Sequence, residues 1–184
     1  MRPGVKLEFS PLAILLIALA YFFDTSGIVS AVVPAAAVHE LGHFLALRLC
    51  KCRLRCLRLG LAGLEMDYAP RQEGLRSLLC AAAGPALGGL YALCACALGG
   101  DFWLISGAAS FLLTVFNLLP ILPLDGGRVL RALLPERAAL RFSRCAALAL
   151  TGAGVYVALA YHSAALLAAG LWLVLCNFCT RDRE

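Results

Sequence analysis

The sequence predicts an all-α polytopic membrane protein of about six transmembrane helices, with a small interfacial β-hairpin between the second and third. Three observations carry that expectation. Of 184 residues, 62% are hydrophobic and 15% charged, against about 45–50% and about 25% in soluble domains. A soluble fold of this size has no core large enough to hide so much apolar surface. The charges are also clustered, leaving uncharged runs of membrane-crossing length. Finally, the basic residues collect on one side of the bilayer when those runs are threaded alternately. The same composition excludes disordered and fibrous classes. The formal net charge of +5 reads as topology and contact with anionic headgroups rather than nucleic-acid binding.

Phe9 to Phe23 is the first uncharged run, between Glu8 and Asp24. It starts like a secretion signal but ends in Tyr21-Phe22-Phe23-Asp24 without a small-residue cleavage site, so a retained helix is expected. Thr25 to Leu47 is apolar except for His39, Glu40 and His43. Ser77 to Gly100 and Phe102 to Leu124 are uncharged, bounded by Arg76, Asp101 and Asp125. Cys145 to Thr180 is too long for one span and divides at Tyr161-His162-Ser163. A spanning helix needs about 20 apolar residues. The middle runs qualify, the first is short, and the last must be halved.

With the N-terminus in the cytoplasm, six spans leave all 16 Lys and Arg residues inside. Asp24, Asp101 and the His162 turn lie outside, as the positive-inside rule expects. A five-span chain would export Arg181 and Arg183. Both termini are therefore expected in the cytoplasm, with the protein in a bacterial cell membrane. Between the second and third spans, Cys50-Lys51-Cys52-Arg53-Leu54-Arg55 and Leu57-Arg58-Leu59 alternate basic with apolar or cysteine residues. That period suits an interfacial strand, with Gly60 and Gly63 permitting a turn and Leu64 to Tyr68 returning. A basic juxtamembrane loop fits the same residues. A strand pair there could accept an extended peptide by edge addition.

The nine cysteines are an odd count, mostly in apolar helices or loops expected in the cytoplasm, so reduced, buried thiols are expected. Cys176-Asn177-Phe178-Cys179 has metal or redox spacing but no partner pair nearby. The chemistry starts at His39-Glu40-Leu41-Gly42-His43. Residues four apart share a helix face, so both imidazoles can converge on one metal ion. Zinc suits such ligands, and the glutamate between them can act as general base on a water. Ionisable groups inside an apolar helix are costly and usually functional.

A catalytic zinc site commonly takes three protein ligands and leaves one position open. Asp125 is the candidate third, expected at the inner end of the fourth span. It follows Asn117-Leu118-Leu119-Pro120-Ile121-Leu122-Pro123-Leu124 and precedes Gly126-Gly127-Arg128. The prolines remove backbone donors and break the helix, and the glycines allow close backbone approach. Broken helix at membrane depth is tolerated where it lines a cavity.

Together, HELGH and NLLPILPLDGGR resemble the site-2 protease family of intramembrane zinc metalloproteases, over Val32 to Arg128. The resemblance implies His39, His43 and Asp125 as ligands of one catalytic Zn2+ and Glu40 as catalytic base. It implies Asn117, with Pro120 and Gly126 of the same stretch, as substrate-binding residues. Ala83-Gly84-Pro85 resembles the start of the family's AGPxxN signature, but Gly88 stands where the asparagine is usual. The expected organisation is one membrane-embedded protease domain over 1–184, with a catalytic core of about 27–128 and additional helices at about 9–23, 138–160 and 164–180. With six spans the chain is most similar to the sporulation branch, without its C-terminal nucleotide-sensing domain and without PDZ modules. Regulation is then expected to be absent or supplied by a membrane partner or by homo-oligomerisation.

The implied activity is hydrolysis of a peptide bond in or beside a transmembrane segment of a membrane-anchored protein. Other classes remain open on the residues alone. A membrane zinc-binding or transport protein would also place histidines and aspartate in the bilayer, though it needs no glutamate between them. A silent scaffold for transmembrane helices needs no Glu40 either. A prenyl-protein-type membrane protease draws a ligand from a later glutamate, and Glu65, Glu73, Glu136 and Glu184 lie in no apolar span. Other divalent ions also accept nitrogen and oxygen ligands.

Overall fold

A computed structural model describes residues 5–60, 63–69 and 74–179. Arg2, Arg71, Arg181 and Arg183, which enter the topology argument, lie outside the described residues. The chain forms two compact units, 1–114 and 115–184.

The first unit starts with an unexpected strand, β1 (Lys6–Phe9), before α1 (Pro11–Phe23). The first helix therefore begins two residues later than the uncharged run, at Pro11, whose fixed φ suits a helix start. Asp24 ends α1 and prepares α2 (Ile28–Leu49). Its carboxylate accepts hydrogen bonds from the Ser26 hydroxyl and from the Ser26, Ile28 and Val29 N–H groups. Partial desolvation works against the Asp24 charge, but these donors outweigh it and hold the carboxyl below its ordinary value.

After α2 the expected hairpin is present as β2 (Arg53–Gly60) and β3 (Gly63–Ala69), antiparallel, with an irregularity between Leu54 and Cys56. Arg53, Arg55 and Arg58 face out while Leu54, Cys56, Leu57 and Leu59 are half-buried, which is the alternation the sequence shows. β1 pairs parallel with β2, making a three-stranded sheet in the order β1-β2-β3. Arg58 donates to Glu8 across that pair at 2.8 Å, and this hydrogen bond with its charge lowers the Glu8 carboxyl. β2 is thus paired on both sides, and the outer edges belong to β1 and β3.

Next come α3 (Gly74–Leu98) and α4 (Asp101–Asn117). Helices α2 and α3 pack through small residues: Ala31, Ala35 and Ala46 on one, Ala81, Ala92 and Ala95 on the other, all buried. Gly42 lies so close to the Ala83 and Gly84 backbone that no Cβ fits there. Small residues at a seam let helix backbones approach, the usual device where lipid removes any hydrophobic drive between helices.

In the second unit, residues 118–124 form no regular element, and α5 (Asp125–Leu133), α6 (Glu136–Tyr161) and α7 (Ala165–Cys179) follow. The expected fourth span, Phe102 to Leu124, is therefore cut short at Asn117, and Asp125 opens a new helix instead of closing the old one. The physical cause is the pair Pro120 and Pro123, which cannot donate helical hydrogen bonds. The final run divides where expected, with His162 in left-handed backbone (φ 55°) between α6 and α7. Gly154 meets the backbone of Leu166 and Leu167, and Gly170 meets Thr151, so these two helices also pack closely.

Among the described residues three helices, α2, α3 and α6, are long and apolar enough to cross a membrane; α1, α4 and α7 are shorter apolar helices. Large apolar side chains are exposed along all six, among them Leu15, Phe22, Leu93, Leu112, Leu159 and Leu175. Apolar surface on that scale needs a nonaqueous cover.

Candidate metal centre

The α2 motif supplies two of the expected ligands, and the geometry can be built from the helix upward. His39 and His43, four residues apart, lie on one face. His39 is 3% exposed; His43 is half-buried. Their rings meet edge to face with centroids 5.0 Å apart, and their Nε2 atoms are 3.3 Å apart. The His43 Nδ1 lies 2.8 Å from the Cys80 carbonyl oxygen. A carbonyl only accepts, so Nδ1 carries the proton and donates, leaving the Nε2 lone pair for a metal.

Two nitrogens each about 2.05 Å from a tetrahedral zinc stand roughly 3.3 Å apart. The observed 3.3 Å fits that geometry without rearrangement, and the imidazole pair suits zinc chemically. Glu40 follows His39 on α2 and is half-buried.

Two glycines of α3 lie against this pair. A Cβ on Gly84 would run into the His43 imidazole at Nε2, Cε1 and Cδ2. Gly84 is therefore a site residue whose contribution is the absence of a side chain, which the Ala83-Gly84-Pro85 string could not reveal by itself. At Gly88, a Cβ would stand 2.8 Å from Thr114 Oγ1 and 3.5 Å from His39 Nδ1. The Ser110 hydroxyl donates to the Gly88 carbonyl at 2.8 Å. The place that an asparagine side chain would take at position 88 is thus occupied by α4, through Thr114 and Ser110. That explains the departure from the AGPxxN pattern as packing.

The remaining expected residues lie together in the second unit. Asn117 ends α4, Pro120 sits in the irregular segment, and Asp125 and Gly126 open α5. Asp125 is 5% exposed and lies in the first turn of its helix, where the dipole favours a carboxylate. Arg128 approaches it at 3.6 Å. Gly126 packs onto the Leu118 and Leu119 carbonyls, and Gly127 onto Ile121 and Leu122, too closely for any Cβ. The segment folds back through tight backbone bonds: Ile121 N–H to Leu119, and Leu124 N–H to Ile121. The Leu122–Pro123 peptide is cis.

Residues far along the chain hold this segment, and the sequence reading passed over them. The Asn177 amide donates to the Leu122 carbonyl at 2.5 Å and to the Leu173 carbonyl at 2.9 Å. The Ser143 hydroxyl donates to Asn177 Oδ1, and in turn accepts from the Leu122 N–H at 2.7 Å. Both Ser143 and Asn177 are buried. In Cys176-Asn177-Phe178-Cys179, the asparagine therefore holds the broken segment. An amide in an otherwise apolar helix was the available signal. Beneath the segment, Ile121 and Leu124 join Ala147 and Leu173 in one buried cluster.

Against known proteins, residues 99–161 match the model of Peptidase family M50. That stretch holds Asn117, Pro120, Asp125 and Gly126 and ends before half of the chain is covered. No curated protein matches the sequence. Among solved structures the chain is similar to the site-2 protease from Methanocaldococcus jannaschii, with a TM-score of 0.66 and 20% identity. The match covers 98% of this chain and 92% of that one, and at this identity it shows the fold.

Proposed function

We propose that this chain is an intramembrane zinc metalloprotease of the site-2 type, cleaving a membrane-anchored protein in or beside its transmembrane segment. The single observation that carries the reading is the histidine pair, its Nε2 atoms 3.3 Å apart with His43 oriented from behind by a backbone carbonyl. The M50 match over residues 99–161 and the site-2 protease fold support it from independent directions. His39, His43 and Asp125 each offer one ligand atom, and in this proposal they hold a single zinc ion. The six-span topology, with both termini in the cytoplasm, belongs to the same proposal.

What zinc supplies at such a site is polarisation of the scissile carbonyl and a lowered pKa for the attacking water. The chain's own residues do the rest. The Cys80 carbonyl keeps the His43 Nδ1 protonated and its ring fixed. The Glu40 carboxylate accepts the proton of the water and returns it to the leaving amine. Asn117, Pro120 and Gly126 contact the substrate backbone. A helical substrate hides its peptide groups in internal hydrogen bonds, so it must be extended first. An outer edge of the β1-β2-β3 sheet can hold that extended form by strand addition.

Glu40→Gln tests the proposal. The variant is expected to keep its metal, measured by elemental analysis of the purified protein, while cleavage of a membrane-anchored reporter is abolished. Undiminished cleavage by Glu40→Gln overturns the reading.

A further inference from the structure

Three cysteines gather at the end of α2 nearest the histidines, and none of their thiols enters the proposed chemistry. The Cys50 N–H still bonds the Ala46 carbonyl, Lys51 turns the chain with φ 59°, and the Cys52 N–H returns to the Leu47 carbonyl at 2.9 Å. This tight turn sets Cys50 and Cys52 against Cys80 of α3. Cys52 and Cys80 are buried with Ala46 and Leu47, and Cys50, Met66, Tyr68 and Ala83 pack around them. The Cys52 thiol points at the Cys50 carbonyl, 3.9 Å away. The Cys80 thiol instead meets the Cys50 sulfur directly, at 3.8 Å.

We propose that Cys50 and Cys80 are a modification site: a thiol pair that closes reversibly to a disulfide on exposure to a small-molecule disulfide such as oxidised glutathione. A bonded pair stands about 2.05 Å apart, so from 3.8 Å the sulfurs must approach by roughly 1.8 Å. Cys50 is half-exposed and Cys80 buried, which orders the steps. The Cys50 sulfur attacks the small disulfide, forming a mixed disulfide, releasing one thiol and giving up its proton. The Cys80 sulfur then displaces the second small thiol and completes the Cys50–Cys80 bond. Two protein thiols are oxidised and one small disulfide is reduced to two thiols, so atoms and electrons balance. The bond joins the end of α2 to the residue whose own carbonyl holds His43 Nδ1. Its effect on proteolysis rests on the function proposed above; its formation does not.

The test uses the full chain in detergent, treated with oxidised glutathione, blocked with N-ethylmaleimide and digested with trypsin. Cleavage after Lys51 separates the Cys50 and Cys52 peptides. Mass spectrometry is expected to find Cys50 linked to Cys80 at least tenfold more than Cys50 to Cys52, with full reversal by dithiothreitol. In Cys80→Ala, a glutathione adduct should persist on Cys50. A stable glutathione adduct on wild-type Cys50, a dominant Cys50–Cys52 link, or an unmodified Cys50 each overturns the proposal. Reporter cleavage should fall at least tenfold on oxidation in the wild type and stay constant in Cys50→Ser. If the link forms while reduced wild-type protein cleaves nothing, the protease reading fails and the thiol site stands.

Discussion

The two regions that carry the expected ligands are built by opposite means. Around His39 and His43 the backbone is continuous helix, and position comes from periodicity plus small residues on the facing helix. Around Asp125 the helix is broken by Pro120 and Pro123, and position comes from polar side chains that arrive from α6 and α7. The first region needs empty space, supplied at Gly84. The second needs hydrogen-bond partners for freed backbone groups, supplied by Ser143 and Asn177. A regular element satisfies its own backbone and asks its neighbours only for room. An irregular one must borrow donors and acceptors, and inside apolar surroundings each missing partner is costly.

The largest effect is expected from Gly84→Ala. Its methyl group enters the volume of the His43 imidazole, so the ring must leave its hydrogen bond to Cys80. A displacement of about 1 Å at a reacting centre costs on the order of 10²-fold in rate. Reporter cleavage and metal content measured on the same preparation check this, and wild-type levels of both would break the argument that room is what this region needs.

Asn177→Leu probes the opposite region at similar volume. It removes the donor to the half-buried Leu122 carbonyl and the acceptor of the buried Ser143 hydroxyl, a loss of about 2 kcal/mol. Thermal unfolding in detergent should register it, with Asn177→Asp no better because a carboxylate cannot donate to Leu122. A Leu variant as stable as wild type would show that the broken segment does not depend on borrowed partners.

The smallest effect concerns Asp24, half-buried between α1 and α2. Its folded pKa is depressed by backbone donors, so its contribution to stability is full above the ordinary value of 3.8 and fades as pH falls through the lower folded value. Stability curves of wild type and Asp24→Ala should therefore converge on acidification below that value. Curves that stay parallel would remove the carboxylate from the account of how α2 begins.

The difference between the regions also decides what could be read in advance. The His39–His43 pair is legible because a helix converts a spacing of four into a shared face. The β2–β3 hairpin is legible in the alternation of arginine with apolar residues. β1 is not, since four residues hold only two periods and its partner, β2, lies some fifty positions away. Pro120 and Pro123 announce a break but not its form, so Asp125 was expected at the end of a span and is found at the start of α5.

Sequence alone determined the apolar class, the helical runs, the paired imidazoles and the place where the fourth run must break. These follow from local rules: hydropathy, a 3.6-residue period and the missing proline donor. Only the tertiary structure decided that Gly84 is a space for His43, that Thr114 and Ser110 occupy the place of an asparagine beside Gly88, and that Ser143 and Asn177 hold Leu122. Those roles are contacts between residues up to 55 positions apart. A string of letters records which groups a chain carries, whereas packing decides which of them meet.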